Sequence, residues 1–389
     1  MKLSFVILAV LSLPILSSAA SLPAKRDATG PGRYIVTLTK APAKSSVLSE
    51  LTTSWANVKK DIEQWDGALN GFATSLTEEE IAKLKASPEV LDIEEDGEMH
   101  ALASVTQANA TWGLGRISSN TPLTSTNPAL LTFPFTYDSC AGAGVDIYVV
   151  DTGVRTTHVE FATGRASTGV IFGGYAAGDG NGHGTHCAGT AAGTNVGVAK
   201  LANIVSVRVL SDAGSGTVSN IISGVNWILT AATTSGRPSV VLMAIGGSVS
   251  TALDTAVTSL TSAGIHVVVA AGGSNTVENT SPARVPSAIT VGATTILDAR
   301  APYSNYGSLV DIFAPGTSVY SSWYTSDTAY ATLSGTSMAA SHVAGVVAYY
   351  LCLNGPMSVG TMATYLQGQA LSGVLTNIPS GSNNYLVHI

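Results

Sequence analysis

Charge is scarce in this chain: Asp, Glu, Lys and Arg make up 11% of its 389 residues, with a formal net charge of -7. No basic stripe is present for a phosphate backbone or an anionic bilayer to grip, which argues against nucleic acid or membrane as partner. The little charge there is sits unevenly. Nine of the 18 Lys and Arg and 14 of the 25 Asp and Glu fall between Ser21 and Ala103. The longer remainder, rich in Gly, Ala, Ser, Thr and Val, reads as a tightly packed secreted enzyme. Cysteine is scarce too, and three thiols cannot build a disulfide framework. At most one pair can form, and Cys140 with Cys352 is the candidate in an oxidising compartment. Beyond the N-terminus no stretch reads as membrane-spanning, and the C-terminus lacks the apolar tail of a lipid-anchor signal. Met1 to Ala20 begins with Lys2, runs apolar from Leu3 to Ile15 and ends Ser17-Ser18-Ala19-Ala20. That stretch is too short to span a bilayer and carries small residues for cleavage, so residues 1–20 are expected to be a secretory signal.

The chain is long enough for one large domain and a smaller one. In the smaller, Tyr34 to Leu38 and Val90 to Glu94 read as strands. Leu48, Leu51, Trp55, Val58 and Ile62 recur at helical spacing. Asn70-Gly71 breaks a second extended stretch near Phe72, and Thr77 with Glu80 forms a capping box for a helix through Leu84. The order is β-α-β-β-α-β, a small α+β ferredoxin-like domain. From Gly144 onward, short β-branched runs (Val145 to Val150, Ile204 to Val209, Val240 to Ala244, Ile265 to Ala270) alternate with helical stretches. The helices are expected over Val218 to Leu229, Ser250 to Ala263 and Ser337 to Leu351. This alternation predicts an α/β fold, a parallel sheet between two helical layers, with functional residues at strand ends.

Three segments carry chemistry. Val150-Asp151-Thr152-Gly153 puts a carboxylate where a buried strand meets a loop, and a carboxylate there needs a partner such as an imidazole N–H. His183-Gly184-Thr185-His186 offers a general base at the start of a helix whose small residues allow close approach. Gly335-Thr336-Ser337-Met338-Ala339 sets a hydroxyl at the head of an apolar helix, where the partial positive charge favours a nucleophile and the Ser337 N–H can donate to an oxyanion. The order Asp, His, Ser is the subtilisin order and not the chymotrypsin one. No Gly-x-Ser-x-Gly elbow surrounds Ser337, which leaves an α/β-hydrolase esterase without support. His158, His186, His266 and His342 read as structural.

Asn181 through Thr190, with Gly335 through Gly345, resembles the proteinase K branch of the subtilisin-like serine proteases (peptidase S8), from about Ser104 to the C-terminus. The preceding domain, through Pro88-Glu89-Val90 and Ile93-Glu94, resembles the inhibitor I9-type propeptide of that family. The resemblance implies residues 21–103 as inhibitory propeptide and 104–389 as catalytic domain, with Glu98 to Ala103 left in the cleft after self-cleavage. It implies Asp151, His183 and Ser337 as the catalytic residues, and Cys187 as a free thiol beneath them. Gly214, Ser215 and Gly216, with Ala244, Ile245 and Gly246, would hold a peptide substrate by its backbone. Ala270, Ala271 and Gly272 would line a first specificity pocket for apolar side chains. The chain departs from the family in three places. Leu242-Met243-Ala244-Ile245 replaces Asn-Met-Ser-Leu, and Ala340-Ser341 replaces Thr-Pro before His342. Above all, Gly273 stands where an Asn amide completes the oxyanion hole, with Asn275 the nearest substitute. In subtilisin, loss of that donor costs about 10²–10³ in turnover. The carbonyls of Pro286 and Ala288 with the Asp311 carboxylate match a structural calcium site; no cofactor is needed for the chemistry. The expected protein is a monomeric secreted endopeptidase made as a proenzyme. The rival is a weak or silent homologue that binds peptides.

Overall fold

The computed structural model describes residues 32–39, 47–49, 61–96, 103–162 and 164–389. The chain divides into two compact units, one through Ala101 and one from Leu102. The expected signal and the Glu98 to Leu102 part of the expected cleft peptide lie outside the described residues.

In the first unit, β1 (Gly32–Leu38), β2 (Glu63–Asp66), β3 (Asn70–Leu76) and β4 (Val90–Glu95) form an antiparallel sheet in the order β2-β3-β1-β4. Alternation puts Val36, Leu38, Phe72 and Leu76 on one face, where they bury with Leu84 of α1 (Glu78–Lys85). The capping box at α1 is complete: Thr77 Oγ1 accepts from Glu80 N, and Glu80 Oε2 accepts from Thr77 N at 2.7 Å. Val47 to Ser49 are helical, and the rest of the expected helical face through Val58 is not among the described residues. One expectation is corrected. Asn70-Gly71 does not break the strand but begins β3, and the turn is Gly67 to Leu69. Gly71 is needed for close approach, since a Cβ there would lie 2.3 Å from the Val36 carbonyl oxygen on β1.

The second unit opens with a hairpin of β5 (Ser104–Ala110) and β6 (Phe133–Asp138), with α2 (Trp112–Ile117) between them. Its nine-stranded sheet contains β7 (Asp146–Asp151), β8 (Ala166–Ile171), β9 (Asn203–Arg208), β10 (Ser239–Met243), β11 (His266–Ala270), β12 (Ile289–Thr294) and β13 (Ile312–Pro315). These seven run parallel in the order β8-β9-β7-β10-β11-β12-β13. A second hairpin, β14 (Val319–Ser322) with β15 (Tyr330–Leu333), precedes the long core helix. Short β16 (Leu371–Ser372) and β17 (Tyr385–Leu386) finish the main sheet's edge.

Both sheet faces are covered, as β-branched runs without polar alternation require. Ile147 and Val149 pack with Cys187 and Ala188 of α3 (His183–Ala192) and with Val343 and Val346 of α6 (Thr336–Asn354). Tyr148 and Val150 point the other way, toward Ile221 and Val225 of α4 (Val218–Ser235) and Leu253 and Val257 of α5 (Thr251–Ser262). Each Val, Leu or Ile among these contributes about 1.5–3 kcal/mol on full burial. A last helix, α7 (Val359–Gln369), follows α6, whose apolar length is 83% buried inside the protein. Cys140 and Cys352 form a disulfide between the β6–β7 connection and the C-terminal end of α6, with Cα atoms 6.1 Å apart. Strand order reverses around β7: β9 lies on one side and β10 on the other. In open parallel sheets the crevice at such a reversal, beyond the carboxyl ends of the strands, is where ligands bind.

Candidate active site

Asp151 is the last residue of β7 and is fully buried. Its Oδ1 accepts from Thr152 N at 2.7 Å, and both oxygens lie 2.9 Å from His183 Nδ1. His183 opens α3, after Gly182 turns the chain at φ 110°. The adjacent Asp151 charge, followed by Cys187, holds the His183 imidazole well above its usual 6.5. Cys187 is a buried free thiol with Sγ 3.9 Å from His183 Nδ1, as expected beneath the site. Asp151, His183 and Cys187 are the one grouping of metal-ligating side chains among the described residues.

Ser337 is the second residue of α6, so its N–H belongs to the first turn, where N–H groups have no intrahelical partner. Its Oγ donates to the Ala244 carbonyl at 2.9 Å. Beside it, Thr336 Oγ1 accepts from Gly272 N at 3.0 Å, so the head of α6 is tied to the ends of both β10 and β11. Leu242 pairs with Val149, which sets Ala244, two residues on, level with Asp151 on the neighbouring strand. Asp151 and His183 are thus in contact, with Ser337 at the next strand end. Among the described residues no hydrogen bond joins His183 to Ser337; such bonds often tighten only when substrate is bound.

The segment after β11 is firmly held. Asn305 Nδ2 donates to the Ala271 carbonyl (2.8 Å) and to Glu278 Oε2 (2.9 Å), while its Oδ1 accepts from Ser274 N (3.0 Å) and Thr276 N (3.3 Å). Gly273 lies on this loop, exposed, and a Cβ built there meets no atom within 4 Å. Asn275, the substitute donor considered from the sequence, is engaged elsewhere. Its Oδ1 accepts from Arg300 at 3.0 Å, and it lines a surface hollow with Pro302 and Ile378. Gly214 to Gly216 form an exposed segment after a turn closed by Gly214 N on the Ser211 carbonyl. After β10, Ala244 is buried, Ile245 half-buried and Gly246 exposed. Ala270 and Ala271 are buried and Gly272 half-buried.

Asp311 precedes β13, and its Oδ2 accepts from Thr290 N at 2.8 Å, two residues beyond Ala288. Burial pushes its carboxyl up to about 6. A half-buried carboxylate with no salt-bridge partner among the described residues, next to the segment carrying the Pro286 and Ala288 carbonyls, is an all-oxygen donor set of the kind that fits calcium. Three other histidines are tied to backbone carbonyls: His186 Nε2 to Val319, His158 Nε2 to Ala329 and His342 Nδ1 to Met338. Burial lowers His186 to about 3 and His266 and His342 to about 4, as neutral structural groups require. Sequence reasoning singles out neither Asp179 nor Asn305. An Asp four residues before His183 is a helix-start signal that could have found the first.

The chain is similar to known proteins along most of its length. Residues 142–384 match the subtilase family, and residues 33–102 match the peptidase inhibitor I9 family. An alkaline serine protease, ver112, of Corniculantispora psalliotae is 43% identical over 91% of this chain and 89% of its own length. A cuticle-degrading protease of Metarhizium anisopliae is 40% identical over 92% of this chain and 89% of its own length. The crystal structure of a cold adapted subtilisin-like serine proteinase, 45% identical, covers 72% of this chain and 98% of that one at a TM-score of 0.65. The chain belongs to the subtilase family, as a subtilisin-like serine endopeptidase of the proteinase K-like kind carrying an inhibitor I9 propeptide.

Proposed function

We propose that Asp151, His183 and Ser337 hydrolyse peptide bonds as a triad, in a secreted, monomeric enzyme released from its propeptide near Ser104. His183 Nε2 takes the Ser337 hydroxyl proton as Oγ attacks the peptide carbonyl, then returns it to the leaving amine. Asp151, accepting from Nδ1, fixes the tautomer and stabilises the imidazolium. The oxyanion receives the Ser337 N–H. Gly273, in the second donor's place, supplies no side-chain amide, so turnover is slow. The exposed backbone of Gly216 and Gly246 pairs with an extended substrate, and the small Ala271 and Gly272 admit apolar side chains of broad kind. A calcium ion held by Pro286, Ala288 and Asp311 would neutralise a half-buried carboxylate and brace the loop before β12; it takes no part in the chemistry.

The observation that carries this reading is the His183 Nδ1 contact with both Asp151 oxygens, at a strand end level with the Ser337 anchor on Ala244. A silent, peptide-binding homologue is the second reading. It is favoured by Gly273 and by a Ser337 hydroxyl bonded to a carbonyl instead of the imidazole. Fluorophosphonate labelling of the mature protein separates the two. Covalent modification that disappears in Ser337→Ala supports the triad; an unlabelled, folded wild type supports the silent homologue. Self-cleavage alone does not discriminate, because an intramolecular reaction gains a large effective concentration.

A further inference from the structure

We propose that Asp179 is a positioning residue that holds the strand end bearing Asp151 and the helix bearing His183 in register. The proposal rests on the triad reading. Asp179 Oδ1 accepts from Thr152 Oγ1 (2.9 Å), Asn181 N (3.0 Å) and Gly182 N (2.9 Å). Its Oδ2 accepts from Thr185 N (3.0 Å) and Thr185 Oγ1 (2.6 Å). Five donors converge on one side chain, whose two oxygens accept from all of them, three on Oδ1 and two on Oδ2.

The partners fall into two groups. Gly182, Thr185 and Asn181 belong to the start of α3, whose own N-cap, Gly182, has no side chain to cap it. Asp179 does that work from three residues upstream, where a negative charge also suits the helix end. Thr152 belongs to the other partner of the dyad: it follows Asp151 directly, and its Oγ1 also accepts from Gly184 N at 3.0 Å. His183 is therefore bracketed, since the N–H groups of both neighbours, Gly182 and Gly184, end on the Asp179–Thr152 pair. An ordinary helix cap would bond the helix alone. The loop carrying Asp179 is itself anchored, by Arg208 on the Gly178 carbonyl (2.7 Å) and Asn181 Nδ2 on the Asp212 carbonyl (2.8 Å). Asp179 does not contact the imidazole, so its influence passes through backbone placement. A misplacement near 1 Å costs on the order of 10²-fold in rate.

The test compares Asp179→Asn and Thr152→Val with wild type in the full mature protein. Asn keeps one acceptor oxygen but turns an NH₂ toward donors. Val keeps the shape of Thr152 and leaves the Asp179 bonds to Gly182 and Thr185 in place, removing only the hydroxyl that links Asp179 to Gly184, so Thr152→Val decides the matter if Asp179→Asn fails to fold. On a peptide p-nitroanilide, both variants are expected to lose about 10- to 100-fold in kcat with KM within twofold. The low-field proton NMR resonance of His183 Nδ1–H, assigned by its loss in His183→Ala, should broaden or vanish in both. An unchanged kcat with only a lowered Tm, a loss confined to KM, or an undisturbed Nδ1–H resonance overturns the proposal. A wild type inert to fluorophosphonate would instead remove the triad reading, and the resonance would still judge Asp179.

Discussion

At the scale of single residues, the proposed chemistry turns on a side chain that Gly273 does not supply. The space at Gly273 is open and the loop is clamped by Asn305, so an asparagine amide can be added without a clash. Gly273→Asn is expected to raise kcat on peptide substrates at least tenfold, toward the 10²–10³ that one oxyanion donor contributes. No gain in kcat would show that another donor already fills the hole. A second expectation concerns pH. The Asp151 carboxylate holds His183 protonated to a pH well above 6.5, and only the neutral imidazole can act as base. The acid limb of kcat/KM should therefore lie above pH 6.5, and Asp151→Asn should move it down while lowering turnover. The Asp151–His183 contact was legible in the sequence, because Asp151 closes an apolar run ahead of Thr152-Gly153 and His183 stands between Gly182 and Gly184. Asn305 was not, since its partners Ala271 and Glu278 lie 34 and 27 positions away and no local pattern marks it.

At the scale of elements, the buried parallel strands were the most legible part, because a strand covered on both faces reads as one apolar run. Ser250 was expected inside its helix and proves to be the N-cap, its hydroxyl accepting from Leu253 N, and α4 runs six residues past the expected Leu229. Helix ends depend on such caps and on the weak periodicity of Thr-rich last turns. The Asn70-Gly71 pair misled because turn chemistry and close strand approach both favour glycine, and only the partner strand decides between them. The β12–β13 pair yields a prediction about calcium. Burial raises Asp311 from its ordinary value near 4 to about 6, so the folded protein binds this proton more tightly than the unfolded chain. Stability from this group therefore falls as pH rises through that interval, and the full penalty persists above pH 6. Calcium would offset the penalty by pairing the charge. Added calcium should raise Tm at pH 8, by less as pH drops below 6, and not at all in Asp311→Asn. A Tm indifferent to calcium at pH 8 would remove the ion from the account.

At the scale of the whole second unit, two cores share one sheet, and α6 runs through the larger of them from the candidate nucleophile to the disulfide. Ser337 stands at its head and Cys352 near its tail, about 22 Å away at 1.5 Å per residue. The Cys140–Cys352 bond closes a loop of 212 residues, which restricts the unfolded chain far more than it shapes the site. Loop-closure entropy of this length corresponds to stabilisation of about 5 kcal/mol. Reduction, or replacement of both cysteines by alanine, is therefore expected to lower Tm by several degrees. Turnover measured well below the transition should stay within twofold of wild type, because the apolar packing of α6 against β10, β11 and β12 holds Ser337 independently of its far end. A loss of turnover at low temperature, with Tm preserved, would mean that the helix transmits strain along its length. The distance and the fully buried residues between the two ends, from Met338 to Leu351, argue for the opposite.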